Sequence, residues 1–229
     1  MATRIDRALV ARTALDLLNE VGLEGLTLRR IAKELNVQAP ALYWHFKNKQ
    51  ELLDEVATEM FRRMAAPLAA AEGDTWQERM AAAIRELRRF LLSYRDGAKV
   101  FSGTRLTDVS YATPLESLLR DCVEAGFTPR AAARGWFTVI TYTVGYVIEE
   151  QSVHPAPTGE RDPAYDLEAR ARRLVGYPLA DEAGREFFGD LEAGYEDGLR
   201  AIIAGVEATL LRSGRTAAPG EALGGHAQQ

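Results

Sequence analysis

Apolar residues recur every three to four positions along almost the whole chain, the period of helices that pack through one face. Leu9, Ala14, Leu15, Leu17, Leu18 and Val21 form one such stripe, and Gly22 stops it. Thr27 is set to cap a short helix that runs to Leu35. Asn36 and Val37 make a turn, and a second short helix covers Gln38 to Phe46, with Pro40 in its first turn, where a missing N–H is tolerated. Asn48 caps a long helix that starts near Lys49 and carries Leu52, Leu53, Val56, Met60 and Met64 at helical spacing. Pro67 to Thr75 breaks the pattern, which resumes from about Trp76 to Tyr94. Asp96-Gly97 is a further break and Gly103 to Ser110 a loop, followed by a helix from about Tyr111 to Ala125. Gly126-Phe127-Thr128-Pro129 ends one helix and caps the next, which runs to about Ser152. His154 to Ala164 is a proline-rich loop. A short helix near Leu167 to Val175 and a single long one from about Glu182 to Leu211 complete an all-α chain. Residues 214–229 are rich in Gly and Ala without apolar period, and are expected to be a disordered tail.

Charge refines this picture. The net charge of −5 argues against nucleic acid, but its distribution does not. Residues 1–49 hold eight Arg and Lys against five Asp and Glu, a basic head of +3 on a body of −8. No run of about 18 apolar residues is present, so no membrane partner is expected, and the charged start lacks a secretory core; the expected location is the cytoplasm. Cys122 is the only cysteine and lies among apolar positions, where it reads as packing. The three histidines, His45, His154 and His226, assemble into no nucleophile–base set and no metal pair. No enzyme activity, cofactor or metal is expected.

Residues 27–46 have the layout of a helix-turn-helix: two short helices, a tight turn, and polar and aromatic residues on the second. Ile31, Ala32, Leu35, Val37 and Leu42 form the seam, while Gln38, Ala39, Ala41, Tyr43 and His45 are left for the outside. Trp44 and Phe46 read as core. Pattern alone leaves open a helical ligand-binding or assembly protein that does not bind an operator.

The run Leu26 to Leu35, then Leu42 to Lys49, then Leu52-Leu53 resembles the DNA-binding domain of the tetracycline-repressor family. The likeness continues through Leu91 to Ser93, Arg95 to Val100, Gly103 to Arg105 and Gly145 to Gln151. It implies a helix-turn-helix domain over 1–48, a connecting helix over 49–70, and a helical effector-binding and dimerisation domain over 71–213. It implies a homodimeric repressor on a palindromic DNA operator, released by a small molecule. Thr27, Arg29, Gln38, Ala39, Pro40, Ala41, Tyr43, His45 and Lys49 match its DNA surface. Arg29 matches a guanine reader, with an ion pair to Glu34 or Asp6 as the alternative, and Lys49 matches a phosphate contact. Ala39 and Ala41 replace the Gln and Thr of tetracycline repressors, so a different operator is implied.

The effector pocket departs further. Phe101 stands where those repressors bind magnesium through a histidine, and Ala83, Leu87 and Ala65 replace drug contacts. Glu149 matches an acid of the magnesium shell, but without the imidazole it reads as a surface or interface carboxylate. The remaining expected lining is Leu87, Phe101, Leu106, Leu115, Leu118, Trp136, Tyr142 and Tyr146, with Thr104 and Arg105 as polar handles. A flat, largely apolar effector is implied, such as an aromatic polyketide.

Overall fold

The computed structural model describes residues 5–155, 157 and 159–211. Among them eleven α-helices and no strand are found. The predicted tail lies outside the described residues.

Helix α1 spans Arg7–Gly25, capped by Asp6, whose carboxylate accepts the Leu9 N–H at 2.7 Å. Gly22 breaks it as expected, at φ 66°, a conformation that suits glycine. Helices α2 (Leu28–Glu34) and α3 (Ala39–Tyr43) form the predicted pair. Thr27 caps α2 through the Arg30 N–H, and Asn36 makes the turn at φ 52°. Helix α3 is shorter than predicted, and Trp44 lies at its end rather than inside it.

Helix α4 covers Lys49–Ala69, capped by Asn48. The pattern break placed at Pro67 is corrected: α4 continues through that residue and ends two positions later. The missing N–H costs only one bond in the final turn. Helix α5 (Trp76–Leu92) begins with a capping box between Thr75 and Glu78. The Asp96-Gly97 break is followed at once by a five-residue helix, α6 (Gly97–Phe101), which the pattern did not show. Helices α7 (Ala112–Glu124) and α8 (Pro129–Val153) follow on either side of the predicted Gly126–Pro129 boundary. Helix α9 covers Leu167–Arg173. The single long helix expected next is two, α10 (Pro178–Phe188) and α11 (Leu191–Val206), separated at Gly189 and Asp190, where Asp190 caps α11.

Helix α4 packs on α1 below and on α5, α6 and α7 above, and α8 packs on α5, α7 and α11. Most of the buried apolar residues form one cluster from Val10 to Val206. Arg88 on α5, nearly buried, binds Glu150 on α8 through two bonds of 3.0 and 2.8 Å and also reaches Glu192 on α11. Its guanidinium lies 4.5 Å over the Tyr195 ring, so one residue ties three helices together. Gln151 fixes α6 by donating to the Leu91 and Tyr94 carbonyls and accepting the Ala98 N–H at 3.2 Å.

Candidate DNA-binding surface and effector cavity

The end of α2, the turn and α3 present a polar face. Thr27, Arg29, Gln38, Pro40, Tyr43 and Lys49 are exposed, while Ala39, Ala41 and His45 are half-buried. Leu42 and Phe46 are fully buried beneath them. Among the described residues Arg29 makes no ion pair, whereas its neighbour Arg30 meets Glu20 at 3.3 Å. The alternative that tied Arg29 to Glu34 or Asp6 is therefore not what the fold adopts. Trp44 corrects the sequence reading: its residue is 90 % exposed, because α3 ends before it and turns the indole outward. Lys49 donates from Nζ to the Leu23 carbonyl at 2.8 Å, linking the start of α4 to the end of α1.

Above α4 lies a cavity of about 160 Å³. Ala83, Leu87, Phe101, Leu106, Leu115, Leu118 and Trp136 line it as the sequence indicated. Phe61, Met64, Leu68, Ile84, Tyr111 and Ile140 complete the wall. Of the α4 contributors only Met64 stood in the predicted apolar stripe, and Ala65, the match to a drug contact on that helix, is not in the lining; a helix periodicity cannot say whether its apolar face meets a neighbour or a void. Trp136 spends its indole N–H on the Leu118 carbonyl at 3.2 Å. Cys122 is buried nearby, and burial raises its thiol pKa above the usual value.

Four residues of the expected lining lie elsewhere, and so does Glu149, the match to the magnesium shell. Tyr142 and Tyr146 face α11, where their hydroxyls donate to the Tyr195 and Leu191 carbonyls at 3.0 and 2.9 Å. Burial, with two neighbouring tyrosines, pushes the Tyr142 hydroxyl up to about 12. Glu149 is exposed on the same outer side as Phe187. Thr104 bonds back to the Phe101 carbonyl at 2.8 Å, and Arg105 points into solvent. For Tyr142 and Tyr146 the helical register was right, but a helix buried on two sides offers two apolar faces, and sequence alone chose the wrong one.

A ladder of polar contacts joins the cavity to α4. The Arg105 N–H donates to Asp54 at 3.0 Å and the Thr107 N–H to the Thr58 hydroxyl at 2.8 Å. Asp108 pairs with Arg62 at 2.7 Å. Ser110, whose backbone N–H donates to it at 2.9 Å, and then Arg62 pull the Asp108 carboxyl down to about 2. Asp54, Glu55 and Glu59 are all buried on α4. Sequence reading missed these residues, although carboxylates at such positions between apolar ones were a visible signal. On the other side, Asp96 accepts the Leu23 N–H at 3.0 Å, and Asn19 exchanges bonds with Ser93 and Arg95, so the α5–α6 corner also rests on α1.

Two family models match the chain: "Bacterial regulatory proteins, tetR family" over residues 11–56, and "Tetracyclin repressor-like, C-terminal domain" over residues 68–210. The chain belongs to the TetR family. It is 38% identical over 205 residues to the tetracycline repressor protein class A from transposon 1721 of Escherichia coli, covering 89% of this chain and 91% of that protein. A possible TetR family transcriptional regulator from Streptomyces coelicolor A3(2) has a similar solved structure, with a TM-score of 0.73 and 40% identity over 89% of this chain and 99% of that one. The class A TetR complex with 5a,6-anhydrotetracycline and magnesium has a TM-score of 0.62 and 33% identity over 87% and 96% of the two chains. As a TetR-family regulator the protein is a helix-turn-helix transcriptional regulator with a helical C-terminal domain. Among its described residues no helix is long and apolar enough to cross a membrane, and no cluster of three metal-ligating side chains is found.

Proposed function

We propose that this TetR-family protein is a repressor that binds a palindromic operator as a homodimer and leaves it when a flat, largely apolar molecule enters the cavity. The observation that carries the reading is a void lined by apolar and aromatic side chains, set directly on the helix that leads to the DNA-binding head. A cavity of similar volume in an apolar core holds one benzene ring. A larger ring system must push the wall outward, and Leu106 in that wall lies between the two residues fastened to α4.

Magnesium-bound tetracycline, the kind of ligand held by the class A relative, does not suit this site. Phe101 has no lone pair for a metal, Ala83 has no hydrogen-bonding group, and Glu149 lies outside the cavity. Each buried donor or acceptor of the drug left without a partner costs about 1–3 kcal/mol, and about 1.4 kcal/mol is a decade of affinity. The test is operator release titrated with tetracycline, with and without magnesium, beside a panel of neutral polycyclic aromatics that includes aromatic polyketides. Release by the apolar compounds alone is expected. Magnesium-dependent release at submicromolar tetracycline would overturn the pocket reading. On the DNA side, Arg29→Ala is expected to relax preference at one base pair of each half-site, at about 1–3 kcal/mol.

A further inference from the structure

Leu106 lines the cavity, and the residues on either side of it are fastened to α4 through their backbone N–H groups. Thr58 accepts one of these bonds and gives its own proton to the Asp54 carbonyl at 2.7 Å. The Thr107 hydroxyl sits between two acceptors, the Thr58 hydroxyl at 3.1 Å and Glu55 Oε2 at 3.2 Å. The same oxygen accepts the Arg7 Nε–H at 3.1 Å. Arg7 in turn donates from Nη1 to the carbonyl of His45, just past α3, and its guanidinium lies 4.5 Å over the Phe46 ring. The other Glu55 oxygen faces Arg62 at 3.6 Å. Glu55 is 6 % exposed, so it is a buried carboxylate with all its partners supplied, which offsets the cost of taking its charge out of water.

We propose that Glu55 is a positioning residue for operator recognition: through Arg7 it registers the end of the recognition helix against the loop beside the cavity. One carboxylate oxygen holds both the loop and the arginine that grips the helix end. Moving the loop therefore changes how Arg7 is held, and the recognition helix loses its reference to the body. Glu55 itself contacts no base. The relay from a bound ligand rests on the cavity reading above, but the positioning role does not, and its test uses ligand-free protein.

The experiment takes a duplex selected from a random library by the unmodified protein. Operator affinity is measured at fixed salt for Arg7→Ala, Thr107→Val and the double variant, each with Glu55 present and with Glu55→Ala. Arg7 and Thr107 share a hydrogen-bond partner only in Glu55, so coupling between them reports on it. With Glu55 present, the double variant is expected to lose about fivefold less affinity than the product of the single losses. With Glu55→Ala the losses should simply multiply. Hydrogen exchange at the His45 and Phe46 amides, which both donate to the Leu42 carbonyl, should quicken in Arg7→Ala and Glu55→Ala, a readout that needs no DNA. Thermal melting verifies that each variant is folded. Glu55→Met, which keeps the length of the side chain without an oxygen acceptor, replaces the alanine variant should that one not fold, with the same loss of coupling expected. Losses that multiply in the presence of Glu55, coupling that survives its removal, or unchanged exchange at His45 and Phe46 would each overturn the proposal.

Discussion

Single residues at the DNA face depart from what their chemistry alone indicates. An indole is a large apolar group and belongs by default in a core, yet Trp44 stands in solvent at the tip of the head. The other two tryptophans, Trp76 and Trp136, are buried far above it. Intrinsic fluorescence should therefore change on operator binding through Trp44 alone. Trp44→Phe is expected to remove that change while leaving the thermal melt within about 0.5 kcal/mol of the parent, as for other exposed positions. A change of equal size in the variant would place the reporting contact elsewhere. Lys49 departs in the other direction. The residue expected to wait for a phosphate already donates to a carbonyl within the head, so its charge helps to set the geometry of the DNA surface.

At the scale of helices, caps and breaks were the readable part. Thr27, Asn48 and the Gly126–Pro129 corner announce themselves, because a side-chain oxygen or a fixed φ satisfies the end of a helix locally. Elements whose existence depends on distant contacts were not readable. Helix α6 is five residues long and is held by Gln151 from α8, a partner about fifty positions away. The division of α10 from α11 at Gly189 and Asp190 is local but was missed too, since the sequence keeps its apolar period across the break. The cavity wall was legible at seven positions and misread at Tyr142 and Tyr146, whose hydroxyls belong to the α8–α11 seam. That seam is close enough to test. A Cβ added at Gly198 would collide with the Tyr142 hydroxyl, which is itself held by the Tyr195 carbonyl. Gly198→Ala should cost about 1–3 kcal/mol of unfolding free energy. Adding Tyr142→Phe should recover part of it, because the colliding oxygen is gone. Denaturant unfolding of the single and double variants checks this, and strict additivity of the two losses would show that the collision is not the cause.

For the whole molecule, the outer faces of α8 and α11 carry small and apolar residues. Ala133, Phe137, Thr141 and Gly145 form an exposed stripe at helical spacing, with Phe137 71 % exposed, and α11 presents Ala201, Ala204 and Gly205. Small residues around one large ring suit a close helix-to-helix contact with a second copy. Phe137→Glu is expected to sediment as a monomer at micromolar concentration. It should lose specific operator binding as well, since two recognition helices must reach half-sites about 34–36 Å apart. A dimer that persists in this variant would move the interface to another face.

The cavity above α4 turns no polar atom toward a guest, and its one indole N–H is already committed. A receptor of that kind measures bulk and greasiness, not functional groups. Two compounds with nothing in common but a rigid, oily outline present the same surface to it, while a polar group on either has to keep water or an internal partner. Such a switch is deaf to chemical detail and alert to a physical property.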